Sequence, residues 1–311
     1  MAEVQAQKTI ERLLFETGAI RVAPANKAFW YTSGTIGPYY SNTQNLIGGE
    51  AEANKLLEII DSELSGDRLR LPANIWRLFA GAYDKSACYH TVADCIKECV
   101  EKNINIDEID IISGGERRDW FFSFIAAGLL KKPHLTIYKN FDMALVGPLA
   151  NGEPPGAATS VGAGALAGKN CLHVSDIVTE ASSYARAWAP AVSKAGAHIC
   201  ASLTVLDRLQ GGGAVLASLG IRHLTLAVLD GAFFDRALIH GHIDIPQHTR
   251  LRGYVADPNG SMRAFLNEHP EFLKDALSAG GKEAERARMC IESGAYGGGA
   301  GVFCDRTGDG I

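Results

Sequence analysis

The chain has 311 residues, with 30 basic and 35 acidic side chains for a formal charge of −5, and 47% of its residues are hydrophobic. That length suits about two ordinary domains or one large α/β domain with additions, and the composition excludes a disordered chain, a collagen and a coiled coil. An acidic balance also disfavours nucleic acid as a partner, because binding to phosphates without regard to sequence needs a basic surface.

The seven cysteines, Cys88, Cys95, Cys99, Cys171, Cys200, Cys290 and Cys304, are scattered and form no C-x-x-C pair. They indicate neither a disulfide framework nor a zinc ribbon, and the expected setting is a reducing, cytoplasmic one. The first segment, MAEVQAQKTIERLLFETG, reads as a charged amphipathic helix rather than a signal peptide. No run of 18 apolar residues is present, so no membrane association is expected.

In chain order, residues 1–106 carry the N-terminal helix, an aromatic and glycine-rich stretch (FWYTSGTIGPYYSNTQNLIGG) and further helices, together expected to form a hood over a sheet. Short apolar, β-branched runs at Ile109–Ile112, Leu135–Tyr138, Cys171–Val174, Ile199–Leu206 and Leu224–Leu229 read as buried strands. Helical segments such as Trp120–Leu130 and Ser182–Ala195 lie between them, which implies crossover connections and a mostly parallel sheet over residues 107–230. Residues 231–311 turn charged and helical (Met262–Ala276, Lys282–Glu292) and end in a glycine-rich tail. Of the 34 glycines, six lie between Gly147 and Gly168 and seven between Gly294 and Gly310, marking two segments expected to be flexible.

In a parallel sheet the ligand sits beyond the carboxyl ends of the strands, so the loops Ser113–Asp119, Lys139–Gly168, Ser175–Ser183 and Asp207–Gly213 are the ones to read for function. The segment CLHVSDIVTEASS is the most informative. It is an apolar strand ending in an acid, followed by a hydroxyl-rich turn into a helix. Backbone N–H groups and hydroxyls in such a turn can hold a phosphate while the acid accepts from a sugar hydroxyl. The same residues also serve as an ordinary helix cap.

This segment resembles the phosphoribosyl-pyrophosphate motif of type I phosphoribosyltransferases, and the likeness to the orotate branch extends further. LLFETGAI with TSGTIGPYYSN is similar to that family's N-terminal helix and hood, and the stretch from AGKNCLHVSDIVTEASS to LTVLDRLQGG follows its strand, motif, helix and Asp-Arg-x-x-Gly-Gly order, over roughly residues 13–230. The resemblance implies a type I phosphoribosyltransferase fold: a parallel five-stranded sheet flanked by helices, with an N-terminal hood and a C-terminal helical extension. It implies that Asp176 holds ribose hydroxyls, that Thr179, Ser182 and Ser183 form the 5′-phosphate turn, and that Arg118 contacts pyrophosphate. Arg208 and Tyr40 would face the acceptor. It further implies Mg2+ if the protein is active, no other resident metal, a phosphoribosyl or nucleotide ligand, and a homodimer.

Several positions depart from the family. Ser175 replaces the first acid of the ribose-binding pair, which would leave Asp176 to act alone, and Ala181 stands where glycine is usual. Glu180 places a carboxylate beside the phosphate turn, and Thr32 replaces a base-contacting lysine. Residues 140–168, where the family carries a basic mobile loop, hold no lysine, arginine or histidine. Leaving pyrophosphate develops charge that needs cations in the transition state, so the expected activity is transfer of ribose 5-phosphate to a nucleobase-like acceptor at a reduced or altered rate. The alternative is a catalytically degenerate regulator that binds a nucleotide or another anion.

The remaining constellations are expected to be structural. His240, His242 and His248 with Asp244 lie in the C-terminal extension without a partner motif. Cys95 and Cys99 sit one helical turn apart, as on a buried helix face. Asp107, Glu108 and Asp110 cluster at a strand start.

Overall fold

The computed structural model describes residues 2–150 and 155–296. The glycine-rich tail and the tip of the Lys139–Gly168 segment therefore lie partly outside the described residues. The chain begins with helix α1 (Ala2–Glu16), then four short strands, β1 (Ile20–Val22), β2 (Phe29–Trp30), β3 (Ile36–Gly37) and β4 (Tyr39–Ser41). A 3₁₀ turn (Thr43–Ile47) leads into helices α2 (Glu50–Leu64), α3 (Leu71–Lys85) and α4 (Ala87–Asn103). The alternating region then runs β5 (Ile111–Gly115), α5 (Trp120–Leu129), β6 (Pro133–Ile137), β7 (Met143–Pro148), β8 (Thr159–Ser160) and β9 (Asn170–Val178). It continues through a π-helical turn (Tyr184–Trp188), α6 (Ala189–Lys194), β10 (His198–Asp207), α7 (Gly212–Ser218) and β11 (Arg222–Val228). Helices α8 (Gly231–Ile239), α9 (Ile245–Ala256), α10 (Pro258–Glu268), α11 (Glu271–Ala279) and α12 (Gly281–Ser293) follow.

The main sheet has the order β11-β10-β9-β5-β6-β7-β8. Its first five strands are parallel, each one of the expected apolar runs, and β7 and β8 add antiparallel at the edge. This is the mostly parallel, helix-flanked α/β sheet expected, extended to seven strands. The segment read as an open loop over Lys139–Gly168 thus contains two strands. Met143, Ala144 and Val146 of β7 are buried, and a hydrophobic side chain removed from water contributes roughly 1.5–3 kcal/mol, which favours pairing against β6 over a free loop.

The sheet is buried on both sides. One face packs Ile111, Leu135, Ile137, Val178 and Ile199 against Tyr184, Val192, Leu216 and Ile221. Helix α5, WFFSFIAAGL, is apolar all round, and Trp120–Gly128 are buried, as expected for a helix covered on every side. Phe79 of α3 meets Phe121 of α5 at a centroid distance of 4.9 Å.

Compactness divides the chain differently from the three consecutive segments 1–106, 107–230 and 231–311. One unit comprises Met1–Ala19 with Asn42–Leu229, and the other Ile20–Ser41 with Asp230–Ile311. The short hood strands group with the C-terminal helices because their aromatic side chains pack there. Trp30 stacks on Phe272 at 5.3 Å, and Tyr39 meets Phe234 and Tyr254, each at 5.8 Å. Arg250 fastens the same unit, donating to the carbonyls of Ala23, Ala25 and Lys27. The helix expected over Met262–Ala276 is broken in two between α10 and α11 at Pro270, whose ring and missing N–H cannot continue it.

Gly128 shows how tightly the first unit is packed. A Cβ there would run into the ring of Trp76, which is itself buried. Gly128→Ala is expected to lower unfolding stability by about 1–3 kcal/mol, overpacking outweighing the gain of about 1 kcal/mol in helix propensity. Urea denaturation of the two proteins measures the difference.

Candidate functional site

The carboxyl ends of β5, β9 and β10 lie side by side, and their loops carry most of the residues expected at the site. Strand β9 alternates its faces. Ser175 turns into the interior, where its hydroxyl is 2.9 Å from Tyr184 Oη and 3.2 Å from Thr204 Oγ1. Asp176 is also buried, and its Oδ2 accepts from Thr43 Oγ1 at 3.1 Å while Oδ1 accepts from the Ile177 N–H.

Asp176 does not act alone, as the loss of an acid at position 175 would suggest. Asp119, at the end of the loop after β5, is buried against it. Asp119 Oδ1 accepts the backbone N–H of Asp176 at 2.9 Å, and Oδ2 accepts the N–H of Gly115 at 3.0 Å. One carboxyl group thereby joins the ends of two neighbouring strands. His173 lies behind it, with Nε2 3.7 Å from Asp119 Oδ2 and Nδ1 2.8 Å from Ser113 Oγ. The His173 ring packs against Trp188 at 4.3 Å, and Nε2 is buried without a hydrogen-bond partner.

Burial sets the electrostatics of this cluster. It pushes the Asp176 carboxyl up to about 7, helped by the neighbouring Asp119 and opposed by Arg118 and by the Thr43 and Ile177 hydrogen bonds. The same desolvation raises Asp119, while the two backbone N–H groups favour its anion. The Asp119 carboxyl is therefore the ionised member, and Asp176 holds the proton longer as pH rises. Burial drives His173 the other way, down to about 3, so its imidazole is neutral at physiological pH.

After β9 the chain turns through Thr179 to Ser183. Ala181, standing where glycine is usual in the resembling family, has φ +52°. The turn thus retains the left-handed backbone that glycine adopts freely, at a cost of roughly 1–2 kcal/mol for alanine. Burial of the Ala181 methyl in the core beneath the turn offsets part of this. Gly212 N–H donates to Thr179 O at 2.8 Å and Arg208 N–H to Val178 O at 3.0 Å, tying the loop after β10 to the turn. A Cβ on Gly212 would sit 2.6 Å from Thr179 O, so only glycine allows this approach.

Thr179 is half-buried, whereas Ser182 and Ser183 are exposed in the first helical turn, and Arg118 is exposed in the loop after β5. Arg208 is half-buried at the end of β10. The structure therefore brings Asp176, Thr179, Ser182, Ser183, Arg118 and Arg208 to one edge of one unit. Glu180 is exposed, so its carboxylate keeps its solvation and the repulsion expected of it at the turn is weak. Tyr40 belongs to the other unit, where it is half-buried in β4 with its ring 5.8 Å from Phe29 and 6.5 Å from Tyr31. That is hood packing.

The other constellations have local partners. His248 is 2.7 Å from Asp235, and the rings of His240 and His242 are 6.4 Å apart. Asp110 accepts from Lys169 and from the Asn170 N–H, each at 2.9 Å. Among the described residues no group of three or more His, Cys, Asp or Glu side chains is arranged to hold a metal ion, and no helix is long and apolar enough to cross a membrane. Asp119, Thr43 and His173 are absent from the expectations drawn from sequence. The only signal for Asp119 was its position at the end of a strand-to-helix loop.

The fold and this edge define an α/β protein whose strand-end turn is built around a buried carboxyl pair, exposed hydroxyls and an arginine. No protein-family model matches the chain, nor does any curated protein sequence. Among solved structures it is similar to orotate phosphoribosyltransferase from Aeropyrum pernix, at 18% identity and a TM-score of 0.45, over 73% of this chain and 98% of that one. It is also similar to Leishmania donovani UMP synthase, at 13% identity and a TM-score of 0.46, over 79% of this chain and 41% of that one. A Mycobacterium tuberculosis orotate phosphoribosyltransferase in complex with 5-phospho-α-D-ribosyl 1-diphosphate matches at 15% identity and a TM-score of 0.39, over 72% of this chain and 96% of that one.

The raised Asp176 carboxyl has a measurable consequence. Because its folded pKa lies above the ordinary 3.8, the wild type loses stability from this group as pH rises from about 4 to about 7, and an asparagine escapes that loss. The difference in unfolding free energy between Asp176→Asn and wild type should shift in favour of the variant from pH 5 to pH 8, by on the order of a few kcal/mol at most. His173 titrates alike in both proteins and largely cancels from the comparison. Urea unfolding at the two pH values checks it, and no change in the difference would refute the raised carboxyl.

Proposed function

We propose that the chain binds a 5-phosphoribosyl ligand at the carboxyl edge of its parallel sheet and transfers ribose 5-phosphate from phosphoribosyl pyrophosphate to a nucleobase-like acceptor at a reduced rate. The observation that carries this reading is the β9 turn: a buried strand-end acid, a left-handed residue at Ala181, and the exposed Ser182 and Ser183 hydroxyls opening a helix. In this reading Thr179, Ser182 and Ser183 receive the 5′-phosphate, Asp176 the ribose hydroxyls, and Arg118 the pyrophosphate, where a guanidinium forms paired hydrogen bonds. Arg208 would contact the acceptor.

The site residues suit Mg2+ only as an ion carried in on the ligand's phosphates. Asp176 and Asp119 are the nearby carboxylates, both already accept backbone or hydroxyl hydrogen bonds, and Mg2+ commonly takes one or two carboxylates plus substrate phosphates. When bound it would neutralise charge on the leaving group. The protein's own groups supply little of that neutralisation, since residues 140–168 carry no cation and Arg118 is exposed to solvent. This favours a second reading, a regulator that binds the phosphoribosyl compound without turning it over.

Calorimetric titration with phosphoribosyl pyrophosphate, with and without Mg2+, tests the shared part of both readings. Binding is expected, and Arg118→Ala should weaken it by about ten-fold, as for loss of one charge-assisted contact worth on the order of 1.5 kcal/mol. Absence of binding under both conditions would remove both readings. Orotate added to the bound complex then separates them, through release of pyrophosphate followed by phosphorus NMR.

A further inference from the structure

Helices α2 and α3, together with the residues just before α2 and α4, line a cavity of about 600 Å³ that is open to solvent, in the same unit as the sheet. Its volume falls in the range of small-molecule sites. The apolar part of the wall is Ile47, Leu56, Ile59 and Leu78, and Ile59 remains 37% exposed there.

The charged part of the wall is Lys55, Arg77, Lys85 and Glu52, a formal balance of +2 in a chain of −5. Lys55, Lys85 and Glu52 make no hydrogen bond or ion pair among the described residues, and Arg77 donates only to the neutral Asn74, at 3.0 Å. These cations are exposed to solvent and have no acidic partner within ion-pair distance among the described residues. Gly81 keeps the cavity open from α3: a Cβ built there meets no atom within 4 Å. Glycine inside a helix costs about 1 kcal/mol against alanine, and at this position no packing contact requires it.

We propose that this cavity is a binding site for an amphipathic anion, a molecule with one phosphate or carboxylate head on a compact apolar body. The head pairs with Lys55, Lys85 and Arg77, and the body covers the exposed Ile59 and the half-buried Leu78. None of its lining residues is among those assigned to the carboxyl edge of the sheet, so its occupant is a second ligand and not the phosphoribosyl ligand.

The test is calorimetric titration of the full chain with 1-naphthyl phosphate, compared with 1-naphthol and with inorganic phosphate. One saturable site is expected for 1-naphthyl phosphate, with binding of either fragment at least ten-fold weaker. Gly81→Leu fills the cavity while favouring the helix, so the variant stays folded and should abolish binding. The double variant Lys55→Glu/Lys85→Glu should weaken it by at least about ten-fold, because two cations facing the anionic head become anions. Arg118→Ala, at the sheet edge, should leave it unchanged. The proposal is overturned if the wild type does not bind, if 1-naphthol binds equally well, or if Gly81→Leu binds like the wild type. Loss of binding in Arg118→Ala alone would move the probe to the sheet edge and overturn it as well.

Discussion

The two hydrogen bonds that Asp119 accepts, from the N–H of Gly115 and the N–H of Asp176, are the constraint on which the candidate site depends. At the carboxyl end of a parallel sheet the ladder stops, and the last N–H groups need acceptors other than a neighbouring strand. Asp119 supplies both acceptors from one side chain, so the end of β5 and the end of β9 are held at a set separation. The position of the Asp176 carboxyl follows from that, as does the point at which the turn through Ala181 begins. Asp119 is at once a structural brace and the charge that most disfavours ionisation of its neighbour after burial itself.

Beneath this pair the interior is unusually polar for the middle of a sheet. Ser113, His173, Ser175, Ser202 and Thr204 are fully buried; Ser113 bonds His173 directly, while Tyr184 joins Ser175 to Ser202 and Ser175 also meets Thr204. A network of this kind is stabilising only when its members find partners, and His173 Nε2, facing Asp119 at 3.7 Å, is the one atom of it left without a hydrogen bond. The site thus rests on a floor of neutral hydrogen-bonding groups, which favours an uncharged or proton-bearing carboxyl above it. That is a poor setting for a second fixed anion, consistent with serine at position 175.

Much of the fold was legible in the sequence because the five parallel strands are buried on both faces and so read as unbroken β-branched runs, and because α5 is apolar throughout. The turn after β9 was legible too, through its local order of acid, threonine and serines. What escaped notice depends on pairing between distant residues. Strand β7 ends in Gly147 and Pro148, which read as a loop, and its pattern becomes a strand only against β6. Asp119 reads as an ordinary loop acid until β9 is placed beside β5, and Thr43 precedes its partner by more than 130 residues. Alanine at 181 pointed away from a phosphate turn, yet the backbone there is the one glycine would take. The grouping of the hood with the C-terminal helices left no local signal, since each aromatic contact joins segments about two hundred residues apart.

That grouping decides how the molecule can be divided. The chain leaves the sheet-bearing unit after Ala19, returns to it at Asn42, and leaves again after Leu229. A polypeptide ended at Leu229 would retain residues 20–41 but lose Phe234, Tyr254, Phe272 and Arg250, which cover Trp30 and Tyr39 and hold the carbonyls of 23–27. Trp30 and Tyr39, now buried, would face water as an apolar patch inviting aggregation. The C-terminal helices are therefore not an appendage that gene truncation can remove, and an insertion or fusion that spares the protein must respect both crossings.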